Sequence, residues 1–230
     1  MSAVHSKRAL VYRQVRYALR SGRYVPGQRI DPAGLARECR TSPTPVRFAL
    51  YRLVGEGLVA DHARNGLHVP LPTELALHDL YDWMQRLLLM ACELCAVPDA
   101  PRPAEAGTAA ADDDVVKRTW QLFNAIAQAN THRFLQLAIR QANDRLAPIR
   151  RAKHGLFEHA QDELAELSRH WQARDLPALR TALRGYHEQR RQRVPRIVAL
   201  LHEQGDPDSP LSAGRGPIRQ RHGSRVGSGP

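Results

Sequence analysis

The stretch Asp31-Pro32-Ala33-Gly34-Leu35-Ala36-Arg37-Glu38-Cys39-Arg40-Thr41-Ser42-Pro43-Thr44-Pro45-Val46-Arg47-Phe48-Ala49-Leu50-Tyr51-Arg52-Leu53-Val54-Gly55 decides how the first third of the chain folds. Asp31-Pro32 and Ser42-Pro43 are two copies of one helix-start signal. The side-chain oxygen can accept an otherwise unpaired backbone N–H, and the fixed φ and missing donor of proline cost nothing in a first helical turn. The first helix is expected to reach about Arg40, with Leu35, Ala36 and Cys39 facing inward, and Thr41-Ser42 breaks it. The second runs to about Glu56, stopped by Gly55 and Gly57. Two short helices joined by a tight polar turn make a helix-turn-helix. On the second helix Val46, Ala49, Leu50 and Leu53 share one stripe, spaced for burial. Thr44, Arg47 and Tyr51 share another that faces out. Such a helix fits the major groove of B-DNA. Its N-terminus also offers unpaired N–H groups to a phosphate.

Upstream, residues 6–21 read as an amphipathic helix with Leu10, Val11, Val15, Ala18 and Leu19 on one stripe and Gly22 as the stop. Arg13, Arg16 and Arg20 lie opposite, as a solvated face or as phosphate contacts. Downstream, Leu58-Val59-Ala60 and Leu67-His68-Val69 read as short strands around His62-Ala63-Arg64-Asn65-Gly66, where Asn-Gly is a strong hairpin signal. A hairpin directly after a helix-turn-helix makes a winged helix, ended by Pro70 and Pro72, so the first domain is expected over residues 1–72.

Charge supports that division. The 230 residues hold 34 Lys or Arg against 23 Asp or Glu, a formal charge of +11. Residues 1–72 carry 12 basic and 4 acidic side chains, residues 73–204 carry 18 and 17, and residues 205–230 carry 4 and 2. The surplus concentrated in one small domain points to a polyanion partner there and to a different task for the rest. With 43% hydrophobic residues the chain can bury real cores. The longest clean apolar run, Leu87–Cys92, falls far short of the ~20 residues of a membrane helix. The basic start, with His5, Lys7 and Arg8, leads into no signal-peptide core. Cys39, Cys92 and Cys95 are an odd, sparse set that suits a reducing compartment, so a cytoplasmic protein without a membrane partner is expected.

Thr73 caps a long helix from Glu74 to about Ala96, apolar at Leu77, Leu80, Tyr81, Met84, Leu87, Leu88, Ala91 and Leu94. Residues 97–114, rich in Pro, Ala and Asp, read as a flexible connection. Helices follow at about 115–129, 132–153 and 157–173, and a last one from Asp175 to about Glu203 is expected to kink at Pro195. The fold class is therefore mostly α, an N-terminal winged helix-turn-helix followed over 73–204 by an all-helical effector-binding or dimerisation bundle. The basic tail 205–230 has too few apolar residues to repay its ordering entropy.

The run Pro26-Gly27-Gln28-Arg29-Ile30, Leu35-Ala36, Ser42-Pro43-Thr44-Pro45-Val46-Arg47-Phe48-Ala49-Leu50, Leu53, Gly57-Leu58-Val59 and Asn65-Gly66-Leu67-His68-Val69 closely resembles the GntR family of bacterial winged-helix regulators. The Thr-Pro-Val-Arg segment and the later Asp79-Leu80-Tyr81 resemble its FadR-type branch, which carries an all-helical sensing domain. The resemblance implies a homodimer that binds a short palindromic operator in double-stranded DNA, usually as a repressor released by a small molecule. By position, Ser42, Thr44, Pro45 and Arg47 would face phosphates and major-groove edges, Tyr51 would share their face, and Asn65-Gly66 would tip the wing into the minor groove. Pro43 stands where many members have Arg, so a guanidinium suited to bidentate guanine contact is missing. Arg40 stands where the family usually has Gly, as a replacement phosphate contact or as a solvated side chain.

The second domain departs further from the resemblance. The FadR-type branch commonly holds a divalent metal on one Asp and three His, and the metal holds a carboxylate effector. Here the Asp-x-x-x-His pair falls on Lys117/Gln121 or on Trp120/Asn124, and the other two His positions fall on Leu164 and Tyr186. The Arg and Glu of the first sensing helix fall on Met84 and Leu88. This implies no metal, no cofactor and no carboxylate clamp of the family type. Three readings stay open for the interior. Met84, Leu88 and Leu164 fill it as ordinary core; or they line a pocket for an apolar or aromatic effector with Tyr186 or His187 as polar handle; or other histidines rebuild a metal site.

Cys92-x-x-Cys95 has no second ligand pair at suitable spacing and reads as core packing. His154, His159, His170 and His202 read as surface residues, and Trp83 and Trp171 as core. No Ser/His/Asp, Walker or Rossmann pattern is present, so a catalytic role is not expected. Two rivals remain: a non-specific nucleic-acid binder using the Arg-rich tail, and a regulator controlled by a protein partner instead of a small ligand.

Overall fold

Asp31 starts its helix as expected: its carboxylate accepts the N–H groups of Ala33 at 2.9 Å and Gly34 at 2.8 Å. These bonds hold its pKa below the usual carboxylate value. In the computed structural model, which describes residues 2–63, 66–95, 113–153 and 155–205, this is the second of three helices that open the chain. They are α1 (Ser2–Arg20), α2 (Pro32–Glu38) and α3 (Pro43–Gly55). Ser42 is the N-cap of α3, but its hydroxyl makes no capping bond.

Strand β1 (Ala60–His62) pairs antiparallel with β2 (Gly66–His68), with Asp61 opposite Leu67. The segment 27–30 adds a third short edge, where Ile30 N–H donates to Leu67 O at 2.7 Å and Val69 N–H to Gln28 O at 2.9 Å. The first strand thus begins where the sequence pattern ends it. Leu58 and Val59 are buried, and both donate to the carbonyl of Leu53, closing the end of α3. Their apolar run packs into the first core and does not extend the wing. Leu10 also departs from expectation, being 47% exposed, because Tyr12 occupies the inward position beside Val11 and Val15. Val15, Leu19, Ile30, Leu35, Val46, Leu50 and Leu53 belong to this first core.

A second core lies among α4 (Glu74–Glu93), α5 (Asp113–Gln128), α6 (Arg133–Ala152), α7 (Ala160–Gln172), α8 (Leu176–Gln192) and α9 (Val194–Gly205). Thr73 caps α4 by accepting the Ala76 N–H at 3.2 Å. The expected final helix is two helices that break at Arg193, with Pro195 in the first turn of α9, where its missing donor is harmless. Trp171 is buried, but Trp83 is 50% exposed. The buried stripe of α4 runs through Leu77, Tyr81, Met84 and Leu88, and Trp83 stands about 100° off it. Cys92 is buried and Cys95 half-buried against this core, and burial pushes the Cys92 thiol up to about 12. His159 and His202 are exposed and His170 is half-buried beside Glu166. His154, the connection 97–112 and the tail after Gly205 lie outside the described residues. Among the described residues no helix is long and apolar enough to cross a membrane.

Candidate nucleic-acid interface and its link to the helical interior

With one face of α3 committed to the core, the other is turned to solvent. Thr44, Arg47, Phe48 and Tyr51 are exposed, and Pro45 is half-buried at the helix start. Phe48, 60% exposed, joins this face although the stripe read from sequence omits it. Ser42 is exposed just before the first turn. Arg40, in the turn between α2 and α3, is exposed with φ of 49°, a left-handed backbone that favours glycine. Gly66 begins β2 with φ of 76°, while Asn65 lies outside the described residues.

Arg16 and Arg20 take neither of the expected roles. Arg16 Nε donates to Asp144 Oδ2 of α6 at 2.7 Å, and its Nη2 reaches the same oxygen. Trp120 Nε1 on α5 donates to the other oxygen, Oδ1, at 2.7 Å, so one buried carboxylate ties α5 and α6 to α1. The Arg20 guanidinium stacks 3.8 Å from the centre of the Trp120 ring. Arg13 is exposed. Two more α6 arginines grip backbone carbonyls of the first core: Arg145 Nη2 that of Glu56 at 2.9 Å, and Arg151 Nε that of Arg20 at 3.1 Å. Both land beside a glycine with positive φ, at 69° for Gly57 and 79° for Gly22. A Cβ at Gly57 would run into the Arg145 guanidinium, and one at Gly22 into Arg151 Cδ.

The opposite side of α6 faces the bundle interior. Of the five residues singled out there by sequence, Met84, Leu88 and Leu164 are fully packed in the second core. His187 is buried, donates from Nδ1 to Leu183 O at 2.8 Å and stacks on Phe123, and among the described residues its Nε2 has no hydrogen-bond partner. Burial, then the nearby Arg190 and Arg150, pull its pKa down to about 3. Tyr186 lines a cavity of about 210 Å³. That cavity is also lined by Arg150, Lys153 and Arg190, none more than 5% exposed. Sequence reading missed these three cations. The available signal was a basic residue in phase with a buried stripe, as Arg150 follows Ile139, Asn143 and Leu146 on α6, and Arg190 follows Leu179, Leu183 and Tyr186 on α8.

Arg190 is paired with Glu163 through both terminal nitrogens, at 2.9 Å for Nη1–Oε1. Lys153 Nζ donates to Tyr81 Oη at 3.0 Å, and burial beside Arg190 and Arg150 holds its pKa well below the ordinary lysine value. Arg150 Nη1 donates to Asn143 Oδ1 at 2.7 Å, and Asn143 Nδ2 donates to the Trp120 carbonyl at 2.9 Å. Hydrogen bonds therefore link a cavity arginine to Asn143 and the Trp120 carbonyl, and the indole of the same Trp120 to Asp144 and on to Arg16 of α1. Among the described residues no three His, Cys, Asp or Glu side chains meet at metal-binding distance.

Residues 7–69 match the family model of bacterial regulatory proteins, gntR family. The first domain is thus a GntR-family helix-turn-helix domain. Over the longer chain, the fold is similar to that of E. coli McbR/YncC, at 20% identity, covering 87% of this chain and 99% of that one, with a TM-score of 0.58. It is also similar to a protein described as transcriptional regulator GntR from Rhodococcus sp. RHA1, at 18% identity, covering 83% and 98%, with a TM-score of 0.65. At these identities the likeness shows the architecture alone: a GntR-type domain joined to a helical bundle. A comparison with curated proteins gives no match.

Proposed function

We propose that this protein is a sequence-specific DNA-binding transcriptional regulator that acts as a homodimer on a short palindromic operator, as a repressor released by a small molecule. The observation that carries the reading is the exposed face of α3, where Thr44, Arg47 and Tyr51 stand clear of the core within the segment matched to the GntR family. Arg47 supplies the hydrogen-bond fork suited to a guanine edge, and Thr44 and Pro45 set the helix start against the backbone. Ser42 and Arg40 contact phosphates, and Asn65-Gly66 enter the adjacent minor groove. The domain boundaries 1–72, 73–204 and 205–230 belong to the same reading, with operator contacts assigned to the first part and effector binding and dimerisation to the second.

Selection from a pool of random-sequence DNA tests this, because it assumes no operator. The expected outcome is enrichment of one palindrome whose half-sites lie about one helical turn apart. Recovery of sequences with no shared motif would favour a non-specific binder and overturn the proposal.

A further inference from the structure

The surface of α3 is sharply divided. Val46, Ala49, Leu50 and Leu53 are buried, so at about 100° per residue the centre of the outward face falls on Thr44, Phe48 and Tyr51. Phe48 stands one turn beyond Thr44 and one turn before Tyr51, and it is 60% exposed against 56% for Tyr51. On the flanks, Arg47 is exposed, whereas Arg52 donates from Nε to Glu56 at 3.2 Å and lies 4.1 Å from the centre of the Tyr12 ring. A helix that meets DNA through Thr44, Arg47 and Tyr51 therefore has no means of holding Phe48 outside the contact. The phenyl ring makes no strong hydrogen bond, so beside a purely polar base edge it displaces water and returns nothing. In the major groove one group suits it, the C5-methyl of thymine. The domain that carries this face holds 12 basic side chains against 4 acidic over residues 1–72, which favours nucleic acid over an apolar protein surface as its occupant.

We propose that Phe48 is a specificity-determining residue of α3, reading the C5-methyl group of one thymine in each operator half-site. The proposal rests on the reading of α3 as the helix that enters the major groove, and it adds a second base to the one that Arg47 meets. Adjacent Cα atoms lie about 3.8 Å apart and stacked base pairs about 3.4 Å, so the thymine falls within about two base pairs of the guanine facing Arg47. Burying one methyl against the ring gives roughly a fourfold gain in affinity, which uracil, alike in every hydrogen-bonding group, does not supply. Tyr51, at the far end of the same stripe, keeps a hydroxyl for the sugar-phosphate edge. Phe48 has no such group, and the methyl contact is assigned to it alone.

The test starts from the operator that the full chain selects from random DNA. Each thymine is replaced in turn by deoxyuridine, which removes the methyl and nothing else, and binding is read by competition in fluorescence anisotropy at fixed salt. One thymine position per half-site should stand out, weakening binding roughly fourfold when one half-site carries uracil and roughly fifteenfold when both do. Phe48→Ala, with unchanged circular dichroism, should bind the thymine operator about as weakly as the parent binds the uracil form. It should tell the two forms apart by roughly twofold at most. Leu10→Ala, at an exposed position of α1, should keep the parent's full thymine preference. Should Phe48→Ala fail to fold, Phe48→Gln carries the same comparison. A selected half-site without thymine, equal binding of the uracil and thymine forms by the parent, or a thymine preference that the folded Phe48 variants retain would each overturn the assignment and leave the operator reading standing. Recovery of no motif would overturn the operator reading itself, and this assignment with it.

Discussion

Arg40 holds a left-handed backbone that an L side chain adopts at a cost of about 1 kcal/mol. Arg40→Gly is therefore expected to raise stability in urea by up to that amount, reduced by the extra freedom glycine gives the unfolded chain. If the guanidinium contacts a phosphate, the same variant lowers the salt slope of operator binding by about one; an unchanged slope would assign Arg40 to solvent. His187 bears on stability through pH. Its ordinary pKa of 6.5 is depressed to about 3 in the fold, so below pH 6.5 the unfolded chain binds a proton that the folded chain refuses. Stability is then lost as pH falls from 6.5 towards 3. From pH 7 to pH 5 this one ring should account for about 2 kcal/mol. Urea unfolding of the parent and of His187→Leu at both pH values checks it: the variant should lose that much less.

At the scale of elements, α6 has two working faces. Asp144, Arg145 and Arg151 hold the first core, and Arg150 and Lys153 line the cavity. Pro148, inside the helix, removes the ladder bond to the Asp144 carbonyl in the same stretch. Asp144→Ala, which leaves Arg16 and Trp120 Nε1 without their acceptor, is expected to cost about 1.5–3 kcal/mol and to speed proteolysis between the two cores. Unchanged proteolysis would show that Arg145 and Arg151 suffice alone. The helix-turn-helix was legible in the sequence because its signals are local: an Asp-Pro and a Ser-Pro start, glycine stops, and one apolar stripe per helix. The roles of Arg16, Arg150, Lys153 and Arg190 were not, because a basic residue on a helix reads as solvated until tertiary packing encloses it. Trp83 and Leu58-Val59 misled for the converse reason. Apolar character says that a residue prefers burial, but the phase of the helix and the path of the loop decide where it goes.

At the scale of the whole molecule, the exposed face of α3 and the cavity under α6 belong to separate cores joined by a few directed contacts. Such a joint can transmit occupancy of the cavity only if it has two arrangements that the ligand distinguishes. Gly57→Ala tests how much the fit between the cores matters: a strained φ and a clash with Arg145 should loosen the joint while leaving the exposed face of α3 untouched. Operator affinity should then persist while any ligand effect on it shrinks. The account stands most directly on Arg47. The decisive measurement is fluorescence anisotropy of the parent protein and Arg47→Ala against a selected operator and its scrambled version across a salt series. The parent should hold the operator at least roughly a thousandfold more tightly than the scrambled DNA, with affinity for both falling steeply as salt rises. Arg47→Ala, with unchanged circular dichroism and unfolding, should bind the two alike. A folded Arg47→Ala protein that still tells them apart, or a parent that never does, would contradict the assignment of α3 as the reading helix.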